Sequence, residues 1–219
     1  MAKPQRTEPR RAEPRLYLVT PPVGEADDLA AALGSAIGSA DIAAVLLKLE
    51  PDGERALINR VKTLAALVQP HGAALLLDGH AEIAPRGGAD GAHLTGIDAF
   101  TAENQSLRPA RIAGCGGLHT RHDAMLAAER GADYVMFGEP DTIGQRPSFE
   151  AILERIEWWA EVFEIPCVAF AATPDEVGQL AKSGADFVAI GGALWDDPRG
   201  PAAALADVTA RLMPRELVP

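Results

Sequence analysis

Gly-Ala-Asp followed by a short apolar run occurs three times in this chain: GADGAHL at 88–94, GADYVMFG at 131–138 and GADFVAIGG at 184–192. A looser copy, SADIAAVLLKL, stands at 39–49. Each residue of the triplet has a physical use. Glycine, lacking a Cβ, takes the left-handed position that ends a helix. Alanine fits closely in the turn. Aspartate accepts backbone N–H bonds in a helix-to-strand loop. The apolar run then enters a strand. The repeat predicts one structural unit used several times, with Gly-Ala-Asp marking where strands begin.

Eight apolar runs follow this scheme: RLYLVT (15–20), AAVLLKL (43–49), AALLLD (73–78), GAHL (91–94), RIAGC (111–115), DYVMFG (133–138), PCVAFA (166–171) and DFVAIGG (186–192). They lack polar alternation, as expected of strands covered on both faces. Helical patterns separate them, among them EADDLAAALGSAIG, ERALINRVKTLAALV, RHDAMLAAERG, FEAILERIEWWAEVF and PDEVGQLAKSG. A last helix is expected in GPAAALADVTARLM (200–213), and only short or irregular helices at 80–88 and 97–106. Strands alternating with helices imply parallel βαβ units, and eight of them imply a closed (β/α)₈ TIM barrel. The architectural alternative is a doubly wound open sheet. No Gly-rich dinucleotide turn follows the first run, which weighs against it. The barrel is expected to be a single domain over 15–213. Residues 1–14, rich in proline and basic residues and without apolar periodicity, read as a disordered tail.

Composition narrows the function classes. The formal net charge is −11, which argues against a nucleic-acid partner. No apolar run approaches a membrane span, and no signal-peptide core follows the first residues, so a cytoplasmic protein without a membrane partner is expected. Cys115 and Cys167 both lie in apolar runs and read as buried free thiols. A homo-oligomer formed through the outer helices is compatible with this layout.

In a barrel of this kind the chemistry belongs at the C-terminal ends of the strands. Gly191 and Gly192 close the last strand and run into ALWDDPRGP, expected to form a short helical turn. Ala172 and Thr173 follow the seventh strand, with Thr173 as N-cap and Pro174 at the first helical position. These four residues form the expected phosphate-binding site, because barrels often hold phosphate after strands 7 and 8. A glycine pair needed only for a tight turn is the plain alternative. Asp78 and Asp98 form a candidate Mg²⁺ pair for a diphosphate, although Asp98 can equally cap the helix that follows it. His119 and His80 are candidates for proton transfer. His93 reads as a hydrogen-bonded histidine of the strand wall, and Trp158 and Trp159 as packing residues.

These residues resemble a known family from about residue 15 to 212. RLYLVTPP, LLLDGHAEIAPRGGADGAHL, LHTRHDAMLAAERGADYVMFGE and GADFVAIGGALWDDP are similar, in order and spacing, to segments of the thiamine phosphate synthases and their thiazole tautomerase relatives. The resemblance implies a (β/α)₈ barrel that joins hydroxymethylpyrimidine diphosphate to thiazole phosphate, with Mg²⁺ holding the diphosphate. The implied chemistry is dissociative: diphosphate leaves, and the thiazole nitrogen captures a pyrimidine cation. On this pattern Lys48 and His119 are the catalytic candidates and Asp98 the second metal aspartate. Leu46, Lys48 and Glu50 stand where the family carries Gln, Arg and Lys. Gly79 and His80 stand at its metal Asp and following Arg, Gly117 at a Ser, and Ala171-Ala172 at a Gly pair. After the sixth strand, Thr142 and Arg146 match a Thr-rich stretch that ends in Lys. The resemblance thus implies a synthase-like transferase with a thinned diphosphate site. A tautomerase-like isomerase using His119, or a non-catalytic protein holding a phosphorylated metabolite, remains open beside it.

Overall fold

The computed structural model describes residues 13–141 and 143–212. Most of the expected tail, Thr142 and Met213 lie outside the described residues. In chain order the elements are β1 Arg15–Val23, α1 Ala26–Ile37, β2 Ile42–Leu49, α2 Glu54–Val68, β3 Ala74–Asp78, α3 Ala84–Gly87, β4 Gly91–Thr95, α4 Ile97–Leu107, β5 Ile112–Gly116, α5 Arg121–Glu129, β6 Tyr134–Phe137, α6 Phe149–Val162, β7 Cys167–Ala171, α7 Val177–Lys182, β8 Phe187–Ile190, α8 Gly192–Trp195 and α9 Pro201–Leu212. The strands form a closed barrel in sequence order. Each pairs in parallel with the next, and β1 closes on β8 through Leu16 opposite Val188 and Leu18 opposite Ile190. This is the TIM barrel that the alternating runs imply. Among the described residues no helix is long and apolar enough to cross a membrane.

The absence of polar alternation has a direct structural cause: both faces of each strand are covered. Leu16, Leu18, Val45, Leu47, Leu75 and Leu77 face the helices. Tyr17, Val19, Leu46, Leu76, Tyr134 and Met136 belong to a separate cluster inside the barrel. Successive strand side chains point to opposite faces, so a run without polar residues supplies both layers at once.

The Gly-Ala-Asp triplets act as staples at the N-terminal ends of the strands. Gly88, Gly131 and Gly184 have φ of 78°, 88° and 96°, the left-handed region that favours glycine. The Asp90 carboxylate accepts the Leu75 N–H at 2.7 Å, Asp133 the Ala113 N–H at 2.8 Å and Asp186 the Cys167 N–H at 2.8 Å. Each aspartate thereby ties its own strand to the one before it. In the looser copy Asp41 instead takes the Arg15 guanidinium, with Nη2 at 2.6 Å.

Two expectations need correction. The segment at 97–106 is not irregular: α4 is an 11-residue helix that buries Phe100, Asn104 and Leu107 along one face. Its polar sequence hides this spacing, because the inward Asn104 is satisfied by donating to the Arg130 carbonyl at 3.0 Å. Asp98 does not cap that helix either. Gly96 is the N-cap, at φ 92°, and Asp98 lies in the first turn. Cys115 and Cys167 are buried thiols outside any disulfide, and burial pushes the Cys115 thiol up to about 12.

Candidate active site

A cavity of about 700 Å³ opens at the C-terminal mouth of the barrel. Val19, Leu46 and Met136 line its apolar part. Its polar rim comes from strand ends and the loops beyond them: Lys48 from β2, Asp78 from β3, His119 after β5, Glu139 after β6, and Arg146 and Arg155 further on. Lys48 Nζ lies 3.9 Å from Asp78 Oδ2. Three of the residues expected from sequence, Lys48, Asp78 and His119, therefore line one cavity.

His119 is held by its backbone. Thr120 caps α5, accepting the Asp123 N–H at 3.0 Å while its own N–H donates to the Asp123 carboxylate at 2.9 Å. Arg155 Nη1 and Nη2 donate to the Leu118 and His119 carbonyls at 2.7 and 3.0 Å. The loop after β5 is thus fixed from α5 and α6 together.

Beneath the cavity runs a line of hydrogen bonds that the sequence reading did not assign. Glu139 Oε1 lies 2.8 Å from His93 Nε2, and Oε2 accepts the Gly117 N–H at 3.0 Å. His93 Nδ1 lies 2.9 Å from the Tyr134 hydroxyl, itself 2.8 Å from the Tyr17 hydroxyl. Burial alone would raise the Glu139 pKa, but the His93 charge, both hydrogen bonds and Lys48 outweigh it and hold the carboxyl below its ordinary range. Burial alone would lower His93, but Glu139 and Asp78 hold it above its ordinary value. Both shifts favour a charged pair. Burial pushes both tyrosines up, so they stay neutral. Two glycines make the room: a Cβ at Gly114 would run into the Tyr134 ring, and one at Gly116 into Glu139 and His93. Alternate glycines in the fifth strand are the signal that could have located this network.

The remaining expected residues stand elsewhere. Ala172, Thr173, Gly191, Gly192 and Asp98 are not among the residues that line the cavity. Thr173 is the N-cap of a 3-10 turn with Pro174 first in it, but its side chain makes no cap bond. The Ala172 N–H donates to Glu176 Oε2 at 2.8 Å, and Arg146 Nη1 donates to the same oxygen at 2.9 Å. A Cβ at Gly191 would come into contact with Val19, and the Trp195 indole donates to the Val19 carbonyl at 2.7 Å, tying the turn after β8 to β1. His80, at φ 52°, pairs with Glu82 at 3.5 Å and does not line the cavity, nor does Glu50. Among the described residues no group of three His, Cys, Asp or Glu side chains could hold a metal by itself. One wall carboxylate beside a substrate diphosphate still fits Mg²⁺, which is usually held by one or two carboxylates plus phosphates and water.

Comparison with known proteins agrees with this architecture. The family model for thiamine monophosphate synthase matches residues 16–194. A thiamine-phosphate synthase of Rhodospirillum centenum is 39% identical over 196 residues, covering 88% of this chain and 95% of its own. One from Hyphomonas neptunium is 34% identical over 205 residues, covering 89% and 92%. In fold, the chain is similar to a thiamine phosphate pyrophosphorylase from Pyrococcus furiosus, with a TM-score of 0.76 at 22% identity, covering 92% of this chain and 96% of that one. On the family match and these relatives, the chain belongs to the thiamine monophosphate synthase family.

Proposed function

We propose that the cavity is the active site of a thiamine phosphate synthase-like transferase, which joins hydroxymethylpyrimidine diphosphate to a thiazole partner more slowly than its relatives. One observation carries this reading: family membership coincides with a cavity at the strand ends in which Lys48 and Asp78 share a wall, 3.9 Å apart. A dissociative displacement needs positive charge near the departing diphosphate and negative charge near the carbon left behind. Lys48 supplies the first. Glu139, fixed by His93 and Gly117, supplies the second. Asp78 is the cavity residue that would hold Mg²⁺ beside the substrate diphosphate, and the ion would neutralise diphosphate charge.

The reduced rate follows from the ligand set. Lys48 lacks the two-pronged grip of an Arg, and Glu50 replaces a Lys. Two charge-assisted contacts, at about 1.5–3 kcal/mol each, amount to a factor of roughly 100 or more. Mg²⁺-dependent turnover measured beside the Rhodospirillum centenum relative tests this, and equal rates would refute it. His119 on the cavity wall favours a second reading, a tautomerase-like isomerase working by proton transfer. A substrate with at least one phosphate group and a cytoplasmic location belong to the proposal.

A further inference from the structure

Among the described residues, three carboxylates line the cavity: Asp78, Glu139 and Asp141. Two of them have other work. Asp78 faces Lys48 at 3.9 Å. Asp141 turns Oδ1 back into its own loop, where it accepts the Ile143 N–H at 3.0 Å and the Gln145 N–H at 2.8 Å. Glu139 differs from both. Its side chain is only 17% exposed, yet it lines the cavity. His93 Nε2 holds Oε1 at 2.8 Å, and the Gly117 N–H holds Oε2 at 3.0 Å. A carboxylate has about four acceptor positions, two on each oxygen. Among the described residues each Glu139 oxygen uses one of its two, so each keeps an acceptor position for a ligand. A ligand that fills the cavity expels water from this carboxylate, and only N–H or O–H donors on the ligand make that loss good.

A second, independent observation concerns the shape and polarity of the space. Lys48 and Glu139 stand on different strands of the same cavity and attract each other. A ligand that satisfies both is anionic at one end and carries donors at the other. The apolar side chains of the cavity, Val19, Leu46, Met136 and Phe170, suit the faces of a flat ring. Glu139 is also held in place. Gly116 lacks a Cβ exactly where one would run into both Glu139 and His93, so the carboxylate and its partner pack directly against the fifth strand.

We infer that Glu139 is the specificity-determining residue for the ring of the diphosphate substrate: it accepts the N–H of an exocyclic amine on a flat N-heteroaromatic and so turns the diphosphate towards Lys48. The inference rests on the reading of the cavity as the active site. It adds recognition of the amine to the negative charge that Glu139 supplies there.

Calorimetric titration of the full chain, with Mg²⁺ and without a thiazole partner, tests it. The two ligands are hydroxymethylpyrimidine diphosphate, whose ring carries such an amine, and the analogue with a methyl group in the amine's place. The wild type is expected to bind the amine about tenfold or more tightly than the methyl analogue, the effect of one charge-assisted contact. Glu139→Gln keeps the shape of the side chain and removes the charge. It is expected to bring the ratio of the two affinities close to one, because any effect of the lost charge on the diphosphate is common to both ligands. Equal binding of the two by the wild type overturns the inference while leaving the active-site reading in place, and so does a ratio unmoved in a folded Glu139→Gln protein. Failure of both ligands to bind at millimolar concentration overturns the inference and the active-site reading together. Should the variant not fold, a nuclear Overhauser contact between the amine protons and Glu139 Hγ in the wild-type complex decides, and its absence overturns the inference.

Discussion

His93 and Glu139 show how a buried charge can be afforded at a functional wall. Each would be neutralised by burial alone, and each keeps its charge because the other is 2.8 Å away. The groups facing the pair are Tyr134 on the imidazole side, Gly117 N–H on the carboxylate, and Lys48 and Asp78 across the cavity. The pair has a defined pH signature. His93 is raised above its ordinary 6.5, so its contribution is fully present below that value and is lost as pH rises through the folded value. Glu139 is lowered from 4.5, so its contribution is present above that value and is lost as pH falls through the folded one. The destabilisation by Glu139→Gln, measured as unfolding free energy in urea, should be largest between these two ordinary values. It should shrink on both sides. A difference that grows steadily from pH 5 to 8 would contradict the charged pair.

Elements are held by the repeated triplet more than by helix caps. Asp133 bonds the Ala113 N–H at the start of β5, and its own N–H donates to the Ala113 carbonyl at 2.9 Å. Removing the carboxylate leaves a buried backbone N–H without an acceptor. Asp133→Ala should therefore cost about 1–3 kcal/mol in urea unfolding, without changing ligand binding at the far mouth of the barrel. A loss under about 0.5 kcal/mol would show that the staple is incidental. This layer was legible in the sequence because its causes are local: a glycine at positive φ, an acceptor side chain and an apolar run. The helix over 97–107 was not, because its inward Asn104 breaks the apolar pattern and is satisfied only by the carbonyl of Arg130, distant in sequence. The role of Glu139, which stands at the end of the sixth strand, was not legible for the same reason. Its significance depends on His93 and on the space left by Gly116, which come together only when β4, β5 and β6 pair. Lys48, Asp78 and His119 were found because each follows directly from reading a strand to its end. The phosphate site at Ala172 was read from position alone, and the residue that takes its N–H, Glu176, lies four further on.

At the scale of the whole molecule, closing the barrel brings side chains from β2, β3, the loops after β5 and β6 and helix α6 around one cavity, although they are spread from residue 48 to residue 155. The central claim is that this cavity carries out synthase-like transfer with Lys48 facing the diphosphate. The most direct measurement is thiamine phosphate formation from hydroxymethylpyrimidine diphosphate, Mg²⁺ and thiazole phosphate, by the wild type and by Lys48→Ala. We expect slow, Mg²⁺-dependent product from the wild type and at least about a 100-fold loss in the variant, as the removal of a charge at the transition state predicts. No product from the wild type, or equal product from a folded Lys48→Ala protein, would contradict the account.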